Sequence, residues 1–313
     1  MNGYNIAFCG LGSIAKRHLK NVCTFLNEHG YSYKIDLYRS SIKPLQDDLQ
    51  PLVRKQYNFS EPVTTNYDIV FITNPTSLHY ETLCKFKDHT KAFFIEKPIF
   101  HSTSIDESIF NKLKGITCYV ACPLRYNAAL QYVKDVINLK EVIAARAICS
   151  SYLPEWRPGQ DYRQCYSAHR EMGGGVGIDL IHEWDYLTYF FGMPDKCYCI
   201  QDKISELEID SDDIAIYIAK VGQKTIELHL DYFGRKATRI LELYTPDDTI
   251  ICDIINGIIS YQKKDETIIM DAERNSYQMN EIKHFFDIIG HRIPNDSTIK
   301  HAFQLLKLAN GEL

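Results

Sequence analysis

A chain of 313 residues is long for one compact core and comfortable for two domains. Its apolar content of 45% and charged content of 24% are those of a globular protein, and a net charge of −5 excludes the broad basic face that nucleic-acid binding needs. No apolar run reaches membrane-spanning length, and the first apolar residues already belong to a strand. A cytoplasmic protein with neither a nucleic-acid nor a membrane partner is expected.

The opening strand, about 4–9 (Ile6, Ala7, Phe8), runs into Gly10-Leu-Gly12-Ser13-Ile14-Ala15 and then into a helical pattern over 13–28 carried by Leu19, Val22 and Leu26. This is Gly-x-Gly-x-x-Ala in the strand–turn–helix context that a dinucleotide requires. Gly10 permits the tight turn, Gly12 lets backbone approach a pyrophosphate, and small Ala15 allows close helix–strand packing. The N–H groups of Ser13 and Ile14, at the helix start, then face the phosphates.

Strands at about 33–39, 68–73, 92–96 and 116–121 alternate with helices at about 77–88 and 103–114. Runs such as Asp68-Ile-Val-Phe-Ile-Thr73 are continuously apolar, which predicts a parallel, doubly wound α/β sheet covered on both faces. In the second strand, Asp36 lies too early to reach an adenosine ribose. Arg39 and Ser40 occupy the strand end and suit a 2′-phosphate, so NADP(H) is favoured over NAD(H). Ile95-Glu96-Lys97-Pro98 ends a strand at its carboxyl edge, where Lys97 should point toward the nicotinamide, and Pro98 admits a cis bond.

The character changes near residue 122, predicting a dinucleotide-binding domain over 1–122 and a substrate-binding and oligomerisation domain over 123–313. A helix at 128–138 and a strand at 141–150 lead to a polar stretch, 151–177. There Trp156, Arg157, Tyr162 and Arg163 interleave guanidinium forks with aromatic faces, a pattern suited to an acidic or phosphorylated sugar. The plainer reading pairs these arginines with Glu155 and Asp161. After Gly173-Gly-Gly, one helix over 176–191 would gather Asp179, His182, Glu183 and Tyr186 within a third of its circumference, beside an apolar stripe of Leu180, Trp184, Leu187 and Phe191. Beyond Gly192, alternating segments at 213–219, 225–232 and 239–244 predict a largely antiparallel open sheet, and helices at 274–290 and 297–309 close the chain. Ile214, Ile216 and Ile218 share one parity and Tyr217 the other; which faces the helices stays open. An apolar outer side would be buried in a partner, giving a homodimer or homotetramer. The ten cysteines fit no zinc spacing and read as reduced core thiols, so no metal is expected. His18 reads as a packed or solvated histidine.

Taken in order, Gly-x-Gly-x-x-Ala, Asn74-Pro75 with His79, Glu96-Lys97-Pro98, Arg125-Tyr126 and Gly173-Gly-Gly with Asp179 and His182 resemble the glucose–fructose oxidoreductase, inositol dehydrogenase and MocA (Gfo/Idh/MocA) family. The resemblance implies an N-terminal Rossmann domain and a C-terminal α/β domain whose open sheet often forms the subunit interface. It also implies NAD(P)-dependent oxidation or reduction of a sugar, cyclitol or sugar derivative. By matching position, Lys97 sits beside the nicotinamide and the reacting hydroxyl, and Asp179 and His182 are the acidic and imidazole members of the second motif. Asn74, Pro75, His79 and Glu96 go with the cofactor, and Arg125 and Glu183 with the substrate. Many members place the histidine four residues after the aspartate; here the interval is three, with Glu183 at the fourth, so Glu183 stands as the alternative acid–base. The implied mechanism has His182 remove a hydroxyl proton, Lys97 stabilise the alkoxide and Asp179 orient the substrate or the imidazole. Segments like 152–163 occur in members linked to surface-glycan pathways, which implies an acidic or nucleotide-linked sugar. The alternatives are a non-catalytic NAD(P)-binding sensor and a reductase of a non-sugar substrate, as biliverdin reductases are.

Overall fold

Continuous apolar runs build the first sheet. In the computed structural model, which describes residues 3–313, β1 (Gly3–Cys9), β2 (Ser32–Arg39), β3 (Lys55–Asn58), β4 (Tyr67–Ile72), β5 (Thr90–Ile95) and β6 (Thr117–Val120) lie in the order β3-β2-β1-β4-β5-β6. Every pairing is parallel. Helices α1 (Ser13–Glu28), α2 (His79–Phe86) and α3 (Ile109–Lys112) supply the connections. The strand β3 is an addition to the expected set, since Lys55-Gln-Tyr-Asn carries no apolar run. The helix expected over 103–114 is reduced to α3, because residues 102–108 fold into bends and turns held by Asp106 and Ser102 side chains.

Aromatic rings pin the strands to one another. Phe8 stacks on Phe71 at 4.4 Å, Phe71 on Phe94 at 4.9 Å, and Phe94 meets Tyr119 at 5.4 Å, one ring from each of four strands. The ladder is closed by Phe285, whose edge meets Phe94 at 5.2 Å from a late helix, Arg274–Ile289. The first compact unit therefore comprises the chain up to Ala121 together with Gln278–Phe303. The division expected at 122 follows chain order, whereas the compact units do not, because the sheet takes its cover from residues far along the chain. Residues 295–298 also blunt its β6 edge: Asn295 Nδ2 donates to Cys118 O at 2.7 Å and Ser297 Oγ to Val120 O at 2.7 Å.

The second unit, Cys122–Tyr277 with Gln304–Leu313, holds α4 (Ala128–Val136), β7 (Ala144–Tyr152), α5 (Val176–Asp179), α6 (His182–Phe191), β8 (Lys196–Asp202), β9 (Ile214–Val221), β10 (Lys224–Asp231), β11 (Phe233–Tyr244), β12 (Thr249–Asp253), β13 (Ile258–Tyr261) and β14 (Glu266–Ile269). The Arg274–Ile289 helix, α7, and α8 (Ile299–Ala309) each contribute residues to both units. The sheet runs β14-β13-β12-β11-β7-β10-β9-β8 and is antiparallel except where β7 meets β10. Tyr217, Leu228 and Leu230 are buried under α6, with Trp184 edge-on to Tyr217 at 5.3 Å. Ile214, Ile216 and Ile218 thus face outward. In register across five strands stand Ile200, Ile216, His229, Ile148 and Ile240, with Ile200 68% exposed. Strand β8 is an addition to the expected set, its large apolar residues, Tyr198 and Ile200, being exposed. No helix among the described residues is long and apolar enough to cross a membrane.

The expected single helix over 176–191 is two. It breaks at Leu180 and Ile181, where Leu180 (φ −96°, ψ 27°) leaves the helical region. Of the three glycines before it, Gly174 threads main chain past main chain: a Cβ there would stand 2.7 Å from Ser167 O and 2.8 Å from His169 O. Gly174→Ala should therefore lower the unfolding free energy by about 1–3 kcal/mol, the scale of forced overpacking, read as a reduced urea midpoint with unchanged slope.

Candidate functional site

In the first unit, the turn after β1 depends on a residue without a side chain. Gly10 has φ +96°, and a Cβ there would lie 2.7 Å from both N and Cα of Asn74. Its N–H donates to Tyr38 O at 2.9 Å, which ties the ends of β1, β2 and β4 together. Gly12, at the start of α1, has nothing within 4 Å of where a Cβ would be. Open space thus lies over the backbone that would receive a pyrophosphate, and the exposed Ser13 and half-buried Ile14 bring their N–H groups to it in the first helical turn. The residues present fit a dinucleotide. A cavity of about 290 Å³ adjoins this turn, lined by Gly10, Asn74, Pro75, the cations Arg39 and Lys43, and the hydroxyl of Ser40. No acidic residue lines it among the described residues. Asp36 is fully buried and spent on Arg54, at 2.5 Å, and on the hydroxyl of Tyr67, at 2.9 Å. Arg39 is held by Nη1 donating to Gln56 Oε1 at 3.1 Å and Lys43 O at 3.2 Å.

Lys97 follows β5 at the same carboxyl edge, half-buried, with a cis bond to Pro98. Behind it, Glu96 meets His18 Nε2 at 2.5 Å, and that imidazole has no exposure at all. Burial alone would raise the Glu96 carboxyl. The His18 contact and the charge of Lys97 outweigh it, and the group is held below its ordinary value. His18 is therefore the support for Glu96, a role that its position on the face of α1 did not disclose. His79, expected at the nicotinamide, is 1% exposed and lies between two carbonyls, Ile99 O at 3.2 Å and Asn74 O at 3.1 Å. It braces the two loops from behind and is withdrawn from the cavity, and burial pushes its pKa down.

In the second unit, Asp179 is 3% exposed and accepts from Tyr232 OH at 2.5 Å and from Tyr166. Burial and this carboxylate push both phenols upward, so they remain donors throughout the neutral range. His182 opens α6, half-buried, just past the break. Glu183, weighed as substrate ligand or alternative base, is fully buried with Oε1 2.7 Å from Arg239 Nε, so it serves α6 as an internal counter-charge. Arg125, expected to touch substrate, is likewise enclosed: it forks onto Asp185 at 2.6 and 2.8 Å and stacks on Tyr189. Within the 152–166 loop the expected residues separate. Arg163 pairs with Asp161 at 2.9 Å and Glu208 at 3.0 Å, and Tyr162 OH accepts from Glu208 N, so both shape the loop. Trp156 packs edge-on against Tyr232 at 5.2 Å and Arg157 lies over the Tyr166 ring at 5.3 Å, which brings both to the Asp179 cluster.

Comparison with known proteins bears on the fold. The Gfo/Idh/MocA model, an oxidoreductase family with an NAD-binding Rossmann fold, matches residues 4–111. A scyllo-inositol 2-dehydrogenase (NAD(+)) of Bacillus subtilis (strain 168) is 23% identical over 189 residues, covering 59% of this chain and 53% of the relative. The chain spans about half the length of the curated relatives it matches. Among solved structures, a levoglucosan dehydrogenase in complex with NADH and levoglucosan superposes with a TM-score of 0.84 at 12% identity, covering 99% of this chain and 96% of that one. A UDP-N-acetylglucosamine 3-dehydrogenase, GnnA, from Acidithiobacillus ferrooxidans gives 0.77 at 15% identity over 99% and 97% of the two chains. These are likenesses of fold.

A pH dependence follows from Glu96. Its pKa is lowered on folding, so its contribution to stability is present above the ordinary value of 4.5 and is lost as pH falls through the folded value. Glu96→Gln should flatten the acid limb of thermal stability between about pH 5 and pH 3, seen as a smaller drop in Tm across that window.

Proposed function

We propose that this chain, whose residues 4–111 match the Gfo/Idh/MocA oxidoreductase family with its NAD-binding Rossmann fold, is an NAD(P)-dependent dehydrogenase or reductase acting on a hydroxyl or keto carbon of a sugar or sugar derivative. The observation that carries this reading is the carboxyl edge of the first sheet. An open glycine turn, a cationic cavity and a half-buried lysine stand there on the ends of adjoining strands. The nicotinamide, when bound, accepts or supplies the hydride. The chain's own residues do the rest. Gly10, Gly12 and the first turn of α1 receive the pyrophosphate, and Arg39 with Ser40 favours a 2′-phosphate, hence NADP(H). Lys97 donates to the reacting oxygen and stabilises the charge that develops on it. His182 takes or returns the hydroxyl proton, work suited to an imidazole near neutral pH. Asp179, steadied by two phenols, orients the substrate or the imidazole.

Trp156 and Arg157 at the Asp179 cluster support an acidic or nucleotide-linked sugar, and the sugars named for the solved relatives support a carbohydrate. Free thiols at all ten cysteines suit a reducing, cytoplasmic setting. The outward row that includes Ile200 and Ile216 is the surface we assign to a second copy of the chain, as a homodimer or a homotetramer.

Reduction of NADP⁺ and NAD⁺ followed at 340 nm against a panel of neutral, acidic and nucleotide-linked sugars and cyclitols tests the activity. One of these should turn over, with NADP⁺ preferred, and Lys97→Ala and His182→Ala should each cost about 2–4 kcal/mol in kcat/KM. Nucleotide binding without turnover of any panel member defeats the reading and leaves a sensor. For the assembly, Ile200→Glu with Ile218→Glu should reduce the mass measured by light scattering to that of one chain.

A further inference from the structure

We infer that Gln56, on the short added strand β3, is the positioning residue that decides this chain's choice between NADP(H) and NAD(H); the inference rests on the dinucleotide site proposed above and deepens it. Strand β3 runs parallel to β2, with Leu37 opposite Gln56 and Arg39 opposite Asn58. Paired residues share a face of the sheet and side chains alternate along a strand, so Gln56 and Arg39 stand on one face as diagonal neighbours. No apolar run anchors β3. Tyr57 instead stacks on Tyr38 at 4.9 Å, and Phe59 N donates to Arg39 O at 2.7 Å.

What Gln56 fixes is the guanidinium. Arg39 Nη1 donates to Gln56 Oε1 at 3.1 Å and to Lys43 O at 3.2 Å, which takes up both of its hydrogens. No hydrogen bond among the described residues engages Arg39 Nε or Nη2. The same pair of donors on Arg54 forks onto Asp36, at 2.9 and 2.5 Å. On Arg39, which lines the cavity beside Ser40 and Lys43, that fork is left for two oxygens of one phosphate. A guanidinium already held at its other nitrogen loses less freedom when it grips a ligand.

Charge decides the rest. Both acceptors of Arg39 are neutral, so its positive charge is oriented without being cancelled. Acids close to it in the chain are spent elsewhere: Asp36 on Arg54, and Glu61 Oε1 on Asn58 N at 2.7 Å. The substitution Gln56→Glu keeps the shape of the side chain and adds one negative charge. That charge would hold the guanidinium as Asp36 holds Arg54, and would repel a phosphate dianion.

Adenosine 2′,5′-bisphosphate and 5′-AMP differ only in the 2′-phosphate and undergo no hydride transfer. Calorimetric titration of the full chain with each, at one ionic strength, therefore isolates this contact from catalysis. The bisphosphate should bind about 10-fold or more tightly. Gln56→Glu should abolish that preference, and Gln56→Met, similar in length but without the acceptor, should reduce it. The affinity for 5′-AMP should change far less in both variants. A preference that survives Gln56→Glu, or that Gln56→Met leaves untouched, overturns the role of Gln56 while the NADP(H) reading stands. An equal weakening of both nucleotides overturns it too, because a residue that merely supports the fold would act on both. Equal affinities in the unaltered chain, or no binding of either nucleotide, remove the NADP(H) reading and the inference with it.

Discussion

The first unit turns on space that a side chain at residue 10 would occupy. With no Cβ there, the exits of β1 and β4 run main chain against main chain, and Thr73 Oγ1 can donate to Cys9 O at 3.0 Å across the gap. That approach levels the carboxyl ends of the central strands. From it follow the open ground over Gly12, the place of Arg39 beside it, and the emergence of Lys97 at the same edge. A larger residue would separate two strands before it met any ligand.

The second unit solves a different problem, how to fix a polar helix against an apolar sheet. Two ion pairs do this for α6, Asp185 with Arg125 and Glu183 with Arg239, and three of the four side chains are essentially enclosed. Such pairs add little net stability over apolar packing, but loss of one partner strands a charge at a cost of several kcal/mol, on the order of 3–5. Their service is orientation. Each charge accepts one direction only, and the helix that begins with His182 is thereby set in rotation as well as in place.

Much of this was legible in the chain. The Gly-x-Gly-x-x-Ala turn, the apolar parallel strands and the change of character near residue 122 depend on local patterns, and the first sheet follows them closely. What stayed hidden is long-range. Periodicity put Asp179, His182 and Glu183 on one helical face, yet the break at Leu180 and Ile181 and the pull of Arg239 send Glu183 inward. Arg125 was expected at the substrate on the family resemblance; its partner, Asp185, is 60 residues away. The support of Glu96 by His18, across 78 residues, and the phenols on Asp179 are of the same kind. Strand β8 was missed for the opposite reason: its pattern is ordinary and only register reveals it.

The return of residues 278–303 to the first sheet bears on how the molecule is made. Phe285 completes the ring ladder and Asn295 and Ser297 seal the β6 edge, yet a ribosome delivers them only after the entire second sheet has been synthesised. The first sheet, made well before them, therefore has an uncapped β6 edge and an unfilled aromatic core until those residues are synthesised. Its completion is timed by residues made after the second sheet, and until then a bare strand edge is open to pairing with another chain.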